Sequence, residues 1–150
     1  MKDNLLTKKI FSLSTSRRDP RGLLYSITVL GTVEAGWPSP AEEELSDTMD
    51  LDEYLIRNKD ATYMLKVSGD SMIEAGIMPG DMVLVERGVA EKDGHIVIAE
   101  IDGKWTMKYL RKRGGKVYLE AANKKYKPIY PTQALKVAAV VRAVIRRYIL

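Results

Sequence analysis

Between residues 61 and 150 the apolar positions come in short bursts, at 63–67, 82–85, 96–101, 105–110, 117–119 and 137–145, and most are rich in β-branched side chains. Bursts of this length suit strands, because a helix that buries one face needs about ten residues or more. Turn-forming residues separate them: Pro79-Gly80-Asp81, Lys92-Asp93-Gly94, Asp102-Gly103 and Gly114-Gly115. Asp102-Gly103, set between two bursts, is a hairpin signal. The pattern predicts a mostly β fold of short antiparallel strands. In the last burst Ala138, Ala139 and Ala143 would suit a helix, but Val140, Val141, Val144 and Ile145 tip it to strand. Read as a strand, residues 137–149 suit a sheet edge, an apolar liability when left exposed.

Upstream the pattern weakens. Residues 1 to about 25 are polar and basic, and Pro20 and Gly22 interrupt any regular element, so a flexible tail is expected. Residues 26–60 read as a connector ahead of a compact body over 61–150. Within it, 26–33 suits a strand and Glu34-Ala35-Gly36-Trp37-Pro38-Ser39-Pro40 is a loop. Ser39, Pro40 and Glu42 suit the start of a short helical turn. Asp50 and Glu53 have capping-box spacing, with Leu51, Tyr54 and Leu55 on one helical face.

At 150 residues the chain suits one domain of ordinary size. It has no cysteine, which excludes disulfides, thiolate chemistry and cysteine-ligated zinc. No 18-residue apolar run predicts a membrane span, and residues 1–16 lack the pattern of a signal peptide. A bacterial cytoplasm is the expected setting. Charge is unevenly placed. Residues 41–60 hold eight acidic and two basic side chains, whereas 104–150 hold thirteen basic ones and a single acidic one, Glu120. Such asymmetry fits either a solvated basic face or contact with an acidic partner or nucleic acid. Tyrosines 109, 118, 126, 130 and 148 interleave with lysines there, as in a nucleic-acid platform, but strand pairs and core edges produce the same spacing.

Candidate chemistry centres on Val67-Ser68-Gly69-Asp70-Ser71-Met72-Ile73, directly after a strand signal. Gly69 permits a tight turn that lifts Ser71 from the sheet, and the backbone N–H groups of Asp70 and Ser71 are then available as an oxyanion hole. Ser, Gly and Asp also make ordinary loops. Serine needs a base. His95, the single histidine, has no carboxylate evidently placed to orient it. Lys108 lies within a strand signal, on the face of Thr106 and Leu110. Burial there would depress its pKa until a neutral amine could take the serine proton; alternatively its stem snorkels to water. No metal-ligand constellation or phosphate-binding glycine loop is present in the sequence, and no cofactor is expected.

The run Ser68-Gly69-Asp70-Ser71-Met72 resembles the LexA/UmuD family of self-cleaving proteins, the peptidase S24 group. The likeness continues through Gly76-Ile77, Pro79-Gly80-Asp81, Gly94-His95-Ile96-Val97-Ile98-Ala99 and Asp102-Gly103 to Thr106-Met107-Lys108-Tyr109-Leu110, and covers roughly residues 30–148. It implies a Ser71–Lys108 dyad and cleavage of the Ala35–Gly36 bond. The cut would release an N-terminal arm, 1–35, from a connector, 36–60, and the catalytic and dimerisation body, 61–150. The resemblance further implies a homodimer and a RecA–single-stranded-DNA filament that favours docking of the cleavage loop. With 35 residues ahead of the cut and Pro-Ser-Pro after it, the UmuD-like branch is expected. That branch serves a Y-family translesion polymerase in the DNA-damage (SOS) response. The alternatives are part of a LexA-like or phage-type repressor, and a non-enzymatic β scaffold that binds a polymerase or nucleic acid.

Overall fold

The computed structural model describes residues 26–29 and 47–149. They divide between two compact units, one ending at Ile56 and the other beginning at Arg57.

In the first unit, β1 (Ser26–Val29) pairs antiparallel with β2 (Asp47–Asp50), with Ser26 opposite Asp50. The polar stretch around Asp47 carries no strand signal, so β2 was not legible locally. A one-turn helix, α1 (Leu51–Leu55), follows as the Asp50–Glu53 spacing predicts, although the Asp50 side chain accepts from the N–H of Asp52. Leu51 and Tyr54 are exposed, and α1 has no buried residue. The expected turn at Ser39 and the Ala35–Gly36 bond lie outside the described residues.

The second unit is built on one antiparallel sheet of six strands: β3 (Thr62–Lys66), β4 (Met82–Glu86), β5 (Ile96–Ile101), β6 (Lys104–Arg113), β7 (Lys116–Glu120) and β8 (Leu135–Ile145). Their order across the sheet is β3-β4-β8-β5-β6-β7. The mostly β prediction holds, and each of the six apolar bursts became a strand within a few residues of its expected bounds. Asp102-Gly103 joins β5 to β6, with Asp102 at φ 48° and Gly103 at φ 81°. Asp102 also accepts from the backbone N–H groups of Thr132, Gln133 and Ala134, which fixes the approach to β8.

The expected edge strand is a correction. β8 pairs with β5 through Leu135–Val140 and with β4 through Val140–Ile145, so it runs through the middle of the sheet. The two pairings meet at Val140, which partners both neighbours, and the outer strands are β3 and β7. Apolar side chains gather in two clusters. Val67, Met72, Ile77, Val83 and Val85 form one, and Val97, Ala99, Leu110, Leu119 and Val140 form the other. The first cluster anchors the loop between β3 and β4, where Met72 and Ile77 are buried almost completely. Among the described residues no helix is long and apolar enough to cross a membrane.

Candidate active site

The loop after β3 is held at several points. The N–H of Val67 donates to the Asp81 carbonyl, and the N–H of Gly80 returns a bond to Val67. Gly69 takes φ 84° with nothing within 4 Å of where a Cβ would sit, so the backbone conformation, not crowding, calls for glycine there. Ser71 follows, and Met72 beside it drives into the core. A short 3-10 turn, Ile73–Ala75, closes the loop. Ser71 is thereby fixed from below by an apolar anchor and from behind by a turn.

Lys108 comes from β6, opposite Val97 of β5. It is one of the few buried charged residues, with 8% of its surface exposed. The alternation read from the sequence is kept: Thr106, Lys108 and Leu110 share a face. The Lys108 Nζ lies 2.8 Å from Ser71 Oγ, 2.6 Å from Thr106 Oγ1 and 3.0 Å from the Met107 carbonyl oxygen. The 37-residue separation in sequence is therefore closed to hydrogen-bond contact.

Burial pushes the Lys108 amine below the usual lysine range, because an ammonium loses hydration there. The three contacts fit both protonation states. A charged ammonium donates to all three oxygens. A neutral amine keeps two N–H donors, for Thr106 and Met107, and turns its lone pair to the Ser71 hydroxyl. The second state makes Lys108 a proton acceptor.

Ser71 and Lys108 line a cleft of about 280 Å³ shared with Leu65, Val67, Thr106 and Trp105. Trp105 is largely exposed at its rim. Among the described residues neither the Asp70 nor the Ser71 backbone N–H donates to a backbone carbonyl, and the Asp70 N–H lies against its own carboxylate. His95 sits apart from this lining. Its Nδ1 accepts from the N–H of Lys92 and its backbone is part of the turn into β5, a structural position.

Three neighbours were not marked by the sequence as site residues. Asn123 is buried and donates through Nδ2 to the Asp70 carbonyl at 2.8 Å. The Tyr126 hydroxyl donates to Asp70 Oδ1 at 2.5 Å, which holds the Asp70 carboxyl below its ordinary value. Arg146, near the end of β8, forks onto buried Asp81 and also donates to the Gly76 carbonyl. Locally Asn123 is one loop amide among others, and nothing in its neighbourhood advertises a partner 53 positions away.

The peptidase S24-like family model matches residues 28–143. The chain belongs to the peptidase S24-like family. It is similar to the LexA repressor of Anaeromyxobacter sp. (strain Fw109-5), at 40% identity over 111 residues, 74% of this chain and 48% of the relative. It is 38% identical over 127 residues to the LexA repressor of Carboxydothermus hydrogenoformans, covering 83% of this chain and 62% of that one. LexA repressor 2 of Pseudomonas syringae pv. tomato is 39% identical over 131 residues, 86% of this chain and 64% of the relative. The chain thus spans between about half and two thirds of the length of these S24-like relatives. The family expected from the Ser-Met and Lys-Tyr runs is correct; these relatives carry the LexA name, not UmuD.

Proposed function

We propose that this S24-like chain is a self-cleaving serine endopeptidase of the LexA type, with Ser71 as nucleophile, Lys108 as base and Ala35–Gly36 as the bond cut. The observation that carries the reading is the 2.8 Å contact between Ser71 Oγ and the buried Lys108 Nζ. Ser71 Oγ attacks the Ala35 carbonyl carbon while neutral Lys108 takes its proton. The N–H groups of Asp70 and Ser71 hold the oxyanion. The Lys108 ammonium then protonates the Gly36 nitrogen as the C–N bond breaks, and water hydrolyses the acyl-serine. Because the scissile bond is tethered, its effective concentration is set by how often the cleavage segment docks, a population that a partner can shift. A RecA–single-stranded-DNA filament as that partner, and a second copy of the chain as a dimer mate, belong to the same proposal.

The names of the relatives favour a repressor, in which cleavage would end repression. A UmuD-like accessory to a translesion polymerase is the second reading, supported by the Pro38-Ser39-Pro40 run after the proposed cut. The test is incubation at about pH 10, where the lysine is deprotonated, followed by mass spectrometry. Expected is slow cleavage after Ala35 in the wild type and none in Ser71→Ala or Lys108→Ala. An intact wild-type chain, or an active Ser71→Ala variant, would refute the dyad. Operator binding by the full gene product, lost on cleavage, would separate repressor from polymerase accessory.

A further inference from the structure

A trans peptide points its C=O and N–H in opposite directions. The described residues contain no cis peptide, so the Asp70 carbonyl and the Ser71 N–H are the two ends of one trans unit. Whatever grips the carbonyl aims the N–H. Two donors grip the carbonyl: Asn123, 4% exposed, donates through Nδ2 to the Asp70 oxygen at 2.8 Å, and the Ile73 N–H reaches the same oxygen at a longer 3.4 Å. The Asn123 Oδ1 accepts from the N–H of Lys125 at 3.0 Å, and the Asn123 carbonyl accepts from the N–H of Tyr126, so the amide has a defined orientation. A buried amide without such partners would be costly, which makes the arrangement resistant to rotation.

The loop bearing Asn123 is stitched to the serine turn at further points. The N–H of Glu74 donates to the Ala122 carbonyl at 2.8 Å, and the Tyr126 hydroxyl binds the Asp70 carboxylate. Ala122 itself belongs to the cluster around Met72. The segment from 122 to 126 therefore acts as a brace on the Asp70–Ser71 peptide from outside the cleft, since none of its residues lines that cleft.

We infer that Asn123 is a positioning residue for transition-state stabilisation: by holding the Asp70 carbonyl it orients the Ser71 N–H toward the developing oxyanion. This inference rests on the Ser71–Lys108 reading above. It separates two jobs, since Lys108 sets when Ser71 loses its proton, whereas Asn123 sets how well the resulting oxyanion is met.

The test compares rate–pH profiles of self-cleavage for wild type, Asn123→Asp, Asn123→Ser and Tyr126→Phe. Asn123→Asp is nearly isosteric but puts an acceptor against a carbonyl. Its plateau rate at high pH should fall by about 10²-fold, the scale of losing one oxyanion donor, with the midpoint pH unchanged because Lys108 is untouched. Asn123→Ser, too short to reach, should show the same split. Tyr126→Phe, which removes one stitch of the brace but leaves the Asn123 bond in place, should lower the plateau less than either Asn123 variant does. Rates are taken per folded molecule, by circular dichroism. A wild-type plateau in folded Asn123→Asp would overturn the inference, as would a shifted midpoint, or unfolding of both Asn123 variants, which would make the residue structural. Wild-type chain that never cleaves, or a Ser71→Ala variant that does, would instead bring down the dyad reading itself.

Discussion

At the scale of single residues, the candidate site turns on how burial disfavours the charge on the Lys108 amine. Among the described residues no carboxylate contacts Lys108 Nζ; its three hydrogen-bond partners there are neutral oxygens, and the cause of its lowered pKa is burial. The sign follows. In the proposed mechanism the neutral form acts as the base, so cleavage should rise with pH and reach half its plateau below the ordinary lysine value of 10.5. Thr106 refines this. The ammonium uses all three oxygens, whereas the amine needs acceptors for two N–H groups only. Thr106→Val therefore removes more from the charged state, and the midpoint of the rate–pH profile should move to lower pH. A midpoint at or above that of wild type would show that Thr106 does not act through the lysine. Lys108 was legible as an oddity, a cation in an apolar alternation, but pattern could not choose between burial and a snorkelling stem. That choice depends on what covers the strand, and the cover is the serine loop, which lies far off in sequence.

At the scale of elements, β6 carries the proposed base and is paired on its two edges, with β5 through Lys104–Tyr109 and with β7 through Tyr109–Arg113. Two positions beyond Lys108 and on the same face, Leu110 is completely buried against the cluster of Val97, Leu119 and Val140. It clamps the strand so that Lys108 has one height above the sheet. Leu110→Ala should cost about 2–5 kcal/mol, the range for deleting a buried leucine side chain, read as a lower urea midpoint. A cost below about 1 kcal/mol would mean that the cluster refills the gap and does not fix the strand. The six strands were foreseeable because each is a β-branched burst between turn residues, and turn chemistry acts within a few positions. β2 was not, because its polar residues are strand only through pairing with β1. The place of β8 was also hidden. An apolar strand looks alike at an edge or in the centre until its partners are known.

At the scale of the whole second unit, Asp81 ties distant parts together. It is 3% exposed, accepts from the forked Arg146 guanidinium just beyond β8 and from the N–H of Met78, and its own carbonyl receives the N–H of Val67. Arg146 reaches on to Gly76, at the end of the turn that follows Ser71. These bonds lower the Asp81 pKa from 3.8 to about 2. A carboxyl depressed on folding contributes stability that is present above its unfolded value and is lost as pH falls through the folded one. Urea midpoints of wild type should therefore drop between about pH 4 and pH 2. Asp81→Asn should start lower and change less over that window. Parallel curves for the two proteins would exclude Asp81 as the source of the acid sensitivity.

Local patterning determined the strands, the turns between them and the two residue types at the centre of the site, because strand alternation and turn preference are encoded within a few neighbours. Tertiary structure alone decided the order of the strands, the burial of Lys108 and the contacts of Asn123, Tyr126 and Arg146 with the serine turn. Those contacts join residues 53 to 70 positions apart. Hydrogen bonds over such separations exist only after the sheet has assembled, and an amide or a hydroxyl in a loop gives no sign beforehand of the partner it will meet.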